Sequence, residues 1–226
     1  MGSTGKNNAF SDVDSRTTPI SDEDKEIVGG HALSVRYFQS SDSFDINGAL
    51  RNAAEFDMSI EEALKSYGWL SATKISDMLK VINTMDKNMH PLDNDINVVR
   101  MADNNYLTSL LKNVNLPQDI KNRLDTVAFG MGTFKDSDVD ALRDMITGAR
   151  VIEGGYMSTT YNTSLSDAAF DFRRIKLNIL ATKGTHALFS PTGKESEMVL
   201  SRTTGYTIVG VRLSEDKKKL ILDVRT

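Results

Sequence analysis

Cysteine is absent from the 226 residues. Its absence excludes disulfide frameworks, zinc–thiolate sites, iron–sulfur clusters and thiol nucleophiles together. Histidine is scarce. His31, His90 and His186 are the 3 present, and they lie far apart without metal-ligand spacing. No apolar run approaches the roughly 20 residues that a membrane-spanning helix needs. Positive charge is not in excess. Lys+Arg totals 27 against 31 Asp+Glu, a formal net charge of −4, which gives no electrostatic footprint for duplex nucleic acid. The opening Met1-Gly2-Ser3-Thr4-Gly5-Lys6 has no apolar secretory core and does not read as a signal peptide. Gly5-Lys6 has no second glycine at P-loop spacing and no preceding strand, so it is not a phosphate loop. Chemistry in this chain therefore rests on carboxylates, hydroxyls, arginines and backbone groups.

The length fits one large domain or a domain plus an extension. Residues 1–20 are polar and rich in Ser, Thr, Asn, Asp and Gly, which predicts a disordered tail or linker. A single domain is expected over residues 21–226, with a helical region at 21–93 and a β-rich core at 94–226. Ser21 and Asp24 stand at capping-box-like spacing ahead of Val28, Ala32 and Val35, and predict a helix there. Ser59 and Glu62 form a second capping box, opening a short helix through Leu64. After Gly68, Ile75, Met78, Leu79, Ile82, Met85 and Met89 recur at three- and four-residue spacing, which places them on one helical face as core.

A short strand is predicted from Ile96 to Arg100, then helices near 104–112, 118–128 and 138–147. From Val151 onward the pattern turns to strands: Met157–Thr160, Ile175–Ala181, His186–Ser190, Ser196–Leu200, Tyr206–Leu213 and Lys219–Val224. Val209, Val211 and Leu213 alternate, as do Leu220, Leu222 and Val224, the signature of half-buried strands. Hairpin-like spacing points to antiparallel pairing. Helices first and strands later make an α+β layout rather than βαβ winding.

Four local features carry chemical potential. Glu195-Ser196-Glu197 stands where a strand begins, and positions i and i+2 of a strand share a face. Two carboxylates that close divide labour between charge stabilisation and proton acceptance. On a solvated edge strand the same triplet is plain surface charge. Ser158-Thr159-Thr160 follows Gly154-Gly155 on a strand. Its hydroxyls either pair across strands or orient a carboxylate. Arg100 ends an apolar strand, as a solvated edge charge or as a guanidinium fork suited to a phosphate. Phe170 and Arg173 offer an aromatic face beside an arginine. The alternative is an amphipathic turn with Phe170 or Phe172 in the core.

Taken in order, strand-Arg, Ser-Thr-Thr, Phe-x-x-Arg and Glu-x-Glu resemble the toxin-type mono-ADP-ribosyltransferases of the Arg–Ser–Glu class. Val98-Val99-Arg100 is similar to the family's first-strand arginine. Ser158-Thr159-Thr160 is similar to its Ser-Thr-Ser motif, with Thr160 in place of the last serine. Lys183-Gly184-Thr185-His186-Ala187-Leu188 and Glu195-Ser196-Glu197-Met198-Val199-Leu200 are also similar to family members, as are Gly205-Tyr206 and Val209-Gly210-Val211. Ala63-Leu64-Lys65-Ser66-Tyr67-Gly68-Trp69-Leu70 resembles the helix that covers the cofactor in actin-modifying binary toxins. Met101 departs from the Gly or Arg that often follows the strand arginine. The loop before Glu195 is short and carries no aromatic after Phe189.

The resemblance implies N-terminal helices packed on a mostly antiparallel two-sheet NAD-binding core. It implies NAD as co-substrate and no metal. Glu197 would stabilise the ribose cation, Ser158 would position Glu197, and Glu195 would serve the acceptor. Arg100 and Arg173 would clamp the pyrophosphate. Phe170 would stack near the nicotinamide, and Met101, Thr159, Thr160 and Tyr67 would complete the NAD site. A glutamate at position 195 is what arginine-modifying members carry, whereas asparagine-modifying members carry glutamine. The expected partner is a host protein with an exposed arginine, actin or another. Nucleic acid is disfavoured as a target, and secretion or injection into a host is implied. An NAD glycohydrolase and a catalytically inactive binding module of the same fold are the alternatives.

Overall fold

The computed structural model describes residues 42–161, 172–189 and 197–226. The expected tail, the Ser21–Asp24 helix, Phe170 and Glu195 lie outside these residues.

Three helices come first: α1 (Asp42–Phe56), α2 (Ile60–Lys65) and α3 (Ala72–Asn88). The α1 helix was not expected, because Asn47, Gly48, Arg51 and Asn52 dilute its apolar signal. Its register is nonetheless helical. Ile46, Ala49 and Leu50 are buried at i, i+3 and i+4, the spacing of one helical face. Gly48 is needed where it stands, since a Cβ there would sit 2.2 Å from the Tyr67 hydroxyl. Ser59 and Glu62 form the expected capping box at α2, and Ser71 caps α3 by accepting from Lys74 N–H. The methionine-rich stripe of α3 is core: Ile75, Met78, Val81, Ile82 and Met85 are buried. Leu79 is only half-buried, and Val81 takes its place in the stripe.

The strands and remaining helices follow as β1 (His90–Pro91), β2 (Ile96–Ala102), α4 (Asn104–Lys112), α5 (Gln118–Ala128), α6 (Asp136–Ile146), β3 (Arg150–Ile152), β4 (Met157–Thr160), β5 (Ile175–Ala181), β6 (His186–Phe189), β7 (Glu197–Leu200), β8 (Gly205–Leu213) and β9 (Leu220–Arg225). The expected elements recur with ends shifted by one or two residues. The short β1 and β3 were not anticipated, being too brief to show a period.

Among the described residues the strands form one nine-stranded sheet in the order β1-β6-β7-β4-β2-β5-β9-β8-β3. It behaves as two wings, because β2 and β4 share a single paired position, Val99 with Thr160. Pairing is antiparallel throughout except between β5 and β9, which run parallel. The β8–β9 hairpin inserts β9 between β8 and β5, and that placement fixes its direction.

Two hydrophobic clusters cover the two sides. The larger joins both wings to α4–α6 through Val98, Leu107, Leu124, Leu142, Met157, Leu177, Met198 and Leu222. The smaller joins α1–α3 to Tyr156, Leu188 and Val199. Strand alternation explains the division: in β7, Met198 and Leu200 face the first cluster and Val199 the second.

Candidate active site

The pleat decides which side chains meet. Ser158 is registered opposite Val199, and Thr160 opposite Glu197. Ser158 and Glu197 are therefore diagonal neighbours on one face of the β4–β7 pair, the face that looks towards α1–α3. Ser158 Oγ donates a hydrogen bond to Glu197 Oε1. Glu197 is 6% exposed and Ser158 is exposed, so a desolvated carboxylate stands beside an open surface. Burying a carboxylate without partners is costly, and the serine hydroxyl supplies one. Thr159, on the reverse face, donates from Oγ1 to the carbonyl of Met198 at 2.6 Å. That bond ties β4 to β7 from behind.

The segment ahead of β4 is clamped by α1. Asn47 Oδ1 accepts from Tyr156 N–H at 2.8 Å. A Cβ on Gly155 would lie 2.8 Å from the same oxygen, so only glycine allows this approach. One helical turn on, Arg51 Nε donates to Glu153 Oε1 at 2.7 Å. Tyr156 passes beneath α3 and donates from its hydroxyl to Asp86 Oδ1 at 2.6 Å. Asp86 also pairs with Arg202 at 2.9 Å. Sequence reasoning missed Asn47, Arg51 and Glu153. Their signal was the helical spacing of Asn47 and Arg51, hidden because α1 itself went unread.

Arg100 is not at an exposed strand edge. It leaves β2 on the face of Val98 and Ala102, the reverse of the Val99–Thr160 face. Its Nη1 is buried with no hydrogen-bond partner among the described residues. Burial pushes its guanidinium pKa down, the Glu153 carboxylate opposes that shift, and Arg51 adds to it. Arginine's high intrinsic value keeps it charged at neutral pH. Beside it, the Tyr106 and Tyr206 hydroxyls lie 2.7 Å apart, and burial pushes Tyr106 up to about 12.

Arg173 Nη1 donates to the carbonyl of Met101, which joins two of the residues expected at the NAD site through a backbone group. The neighbouring Phe172 is 75% exposed, so it is not a core residue. Arg173 lies 5.8 Å from its ring centroid. Tyr67 is half-buried in the helical lobe, its ring stacked on Trp69 with centroids 4.9 Å apart. Among the described residues, no group of three or more His, Cys, Asp or Glu is placed to hold a metal ion.

A buried glutamate oriented by a strand serine is the kind of fixed anion that suits a developing cation. The family model described as ADP-ribosyltransferase exoenzyme matches residues 20–226. The chain belongs to the ADP-ribosyltransferase exoenzyme family. The epidermal cell differentiation inhibitor of Staphylococcus aureus is 28% identical to it over 192 residues, 82% of this chain and 70% of that one. The fold is that of an ADP-ribosyltransferase from Clostridium botulinum, with a TM-score of 0.63 and 17% identity over 90% of each chain. It is likewise that of the Clostridium limosum C3 exoenzyme, at a TM-score of 0.59 and 23% identity over 92% of this chain and 86% of that one. An S. aureus protein solved with NAD shares it too, at a TM-score of 0.54 and 22% identity over 90% of this chain and 93% of that one.

This exoenzyme is thus a toxin-type, NAD-dependent mono-ADP-ribosyltransferase. Its family is secreted or delivered into host cells and acts on host proteins. Among the described residues no helix is long and apolar enough to cross a membrane.

Proposed function

We propose that this exoenzyme transfers ADP-ribose from NAD to an arginine of a host protein, with Glu197 as the residue that stabilises the reacting ribose. The Ser158–Glu197 hydrogen bond is the observation that carries this reading. Heterolysis of the glycosidic bond sends its electron pair to the nicotinamide nitrogen and leaves positive charge on the ribose, as in glycoside hydrolysis. A fixed anion next to that ribose lowers the barrier. Ser158 donates to Glu197 and orients its carboxylate, so little reorganisation is needed as charge develops. Arg100 and Arg173 hold the pyrophosphate, and Arg173 also fixes the Met101 carbonyl. Phe170 stacks near the nicotinamide. Thr159 and Thr160 build the strand beneath the ribose, and Tyr67 closes the helical side.

The second half of the reaction needs an acceptor. A protonated guanidinium is a poor nucleophile, so a carboxylate that takes its proton is required. Glu195, two residues before Glu197, fills that role. A new bond forms between the acceptor nitrogen and the ribose carbon, and the proton passes to Glu195. Water in place of the guanidinium would give NAD glycohydrolase activity at the same site.

The test is incubation with labelled NAD and host lysate, then mass spectrometry of the labelled peptide. An ADP-ribosylated arginine is the expected result. Modification of another residue type would reject the acceptor assignment. Nicotinamide release without protein labelling would favour the glycohydrolase, and neither activity would favour the inactive binding module.

A further inference from the structure

The turn ahead of β4 gathers charges that the proposed reaction leaves unused. Glu153 is 8% exposed. Its Oε1 accepts from Arg51 Nε at 2.7 Å and from Gly155 N–H at 3.0 Å. Its backbone is tied on both sides: Glu153 N–H donates to the Thr204 carbonyl at 3.1 Å, and the Glu153 carbonyl accepts from Thr203 N–H at 2.8 Å. The carboxylate is therefore built into the fold rather than tethered loosely.

Arg51 is bonded to it, and Arg100 feels its charge. Arg51 is engaged through Nε, and its side chain is 43% exposed. Holding Nε leaves both terminal nitrogens of the guanidinium for a second acceptor. Arg100 is attracted by Glu153 and repelled by Arg51, and its buried Nη1 has no acceptor among the described residues. A buried charged donor left without an acceptor is costly, so the site fits an anion that brings one.

We propose that Glu153 is a positioning residue for the NAD pyrophosphate: it holds Arg51 by Nε, so that the terminal nitrogens of Arg51 join Arg100 on one bound diphosphate. This rests on the reading that Arg100 meets the pyrophosphate. Glu153 itself, being an anion, does not touch the phosphates.

The test is steady-state nicotinamide release by the whole chain, with inorganic pyrophosphate and nicotinamide as separate inhibitors. Glu153→Ala is expected to raise KM for NAD about tenfold, the scale of one lost charge-assisted contact. It should weaken pyrophosphate inhibition by the same factor, lower kcat less, and leave nicotinamide inhibition unchanged. Glu153→Gln should restore most of the loss, because its amide oxygen still accepts from Arg51 and Gly155. Glu153→Asp keeps the charge but withdraws it by one methylene, and should raise KM without rescue. Equal weakening of pyrophosphate and nicotinamide inhibition, or a lower Tm with unchanged KM, would overturn the proposal. Where Glu153→Ala does not fold, the Asp and Gln variants decide it, and a KM of wild-type size in Glu153→Asp would overturn it. Arg100→Lys tests the underlying reading separately: pyrophosphate inhibition untouched in that variant would reject the role of Arg100, whatever Glu153 shows.

Discussion

Strands β2, β5, β8 and β9 run for 7, 7, 9 and 6 residues, whereas β4, β6 and β7 run for 4 each. The long wing alternates buried and half-buried positions in β5. The short wing does not: all of β7 is buried, with the larger cluster on one face and α1–α3 on the other. The long wing builds the core, and the short wing places Ser158 and Glu197. A carboxylate can stay in so dry a setting only if neighbouring polar groups hold it, and the diagonal register of β4 against β7 delivers the serine. Stability and the proposed chemistry thus sit on adjacent strands joined at one paired position, Val99–Thr160.

That division can be tested by substitutions that strike one wing and spare the other. Glu197→Gln is expected to have the largest catalytic effect, a loss of about 10²–10³ in nicotinamide release, the scale of removing one charge-stabilising group. Its Tm should stay close to that of the wild type. Leu177→Ala, in the fully buried heart of the long wing, should do the reverse. Denaturant unfolding should show a loss of about 2–5 kcal/mol, with kcat of the folded fraction unchanged. Ser158→Ala should lower kcat by about 10–10²-fold, with a smaller change in KM for NAD, because one hydrogen bond to a charged group is worth about 1.5–3 kcal/mol. A Ser158→Ala enzyme with full kcat would break the link between the serine and its carboxylate.

A smaller effect is expected where α3 meets the sheet. Tyr156→Phe removes the hydroxyl that donates to the Asp86 carboxylate, and should cost about 1.5 kcal/mol of stability by denaturant unfolding, the low end for a bond to a charged group. The smallest concerns acid stability. Arg123 forks onto Asp138 at 2.7 and 2.8 Å and holds its carboxyl below the usual range. The folded pKa lies below the unfolded value of about 3.9, so the stabilisation is complete above that pH. It is lost as pH falls through the folded value. Asp138→Asn should flatten that part of the acid limb in a Tm-against-pH series and leave activity at neutral pH intact.

Much of the long wing was legible in the sequence, because alternation over six or more residues is a strong signal, as in Leu220, Leu222 and Val224. The capping box at Ser59–Glu62 was equally plain. The order of Arg100, Ser158 and Glu197 carried the family, since each motif is weak alone but the set is specific. The α1 helix was not legible: Gly48 and Asn47 are unfavourable in helices, and both are retained for tertiary contacts, one with Tyr67 and the other with Tyr156. Losing α1 hid Arg51, and with it the charge cluster at Glu153. The burial of Arg100 was hidden too. A strand-end arginine reads as an edge charge until α4 and β8 bring Tyr106 and Tyr206 over it.

The central claim is that the Ser158–Glu197 pair, and not NAD binding alone, drives cleavage of the glycosidic bond. Nicotinamide release by wild type and Glu197→Gln, compared at NAD concentrations that saturate each by calorimetric titration, tests it most directly. The account predicts NAD affinity within about threefold, roughly 0.7 kcal/mol, and release lowered by about 10²–10³. Release by Glu197→Gln at the wild-type rate, or a loss explained wholly by weaker NAD binding, would contradict it.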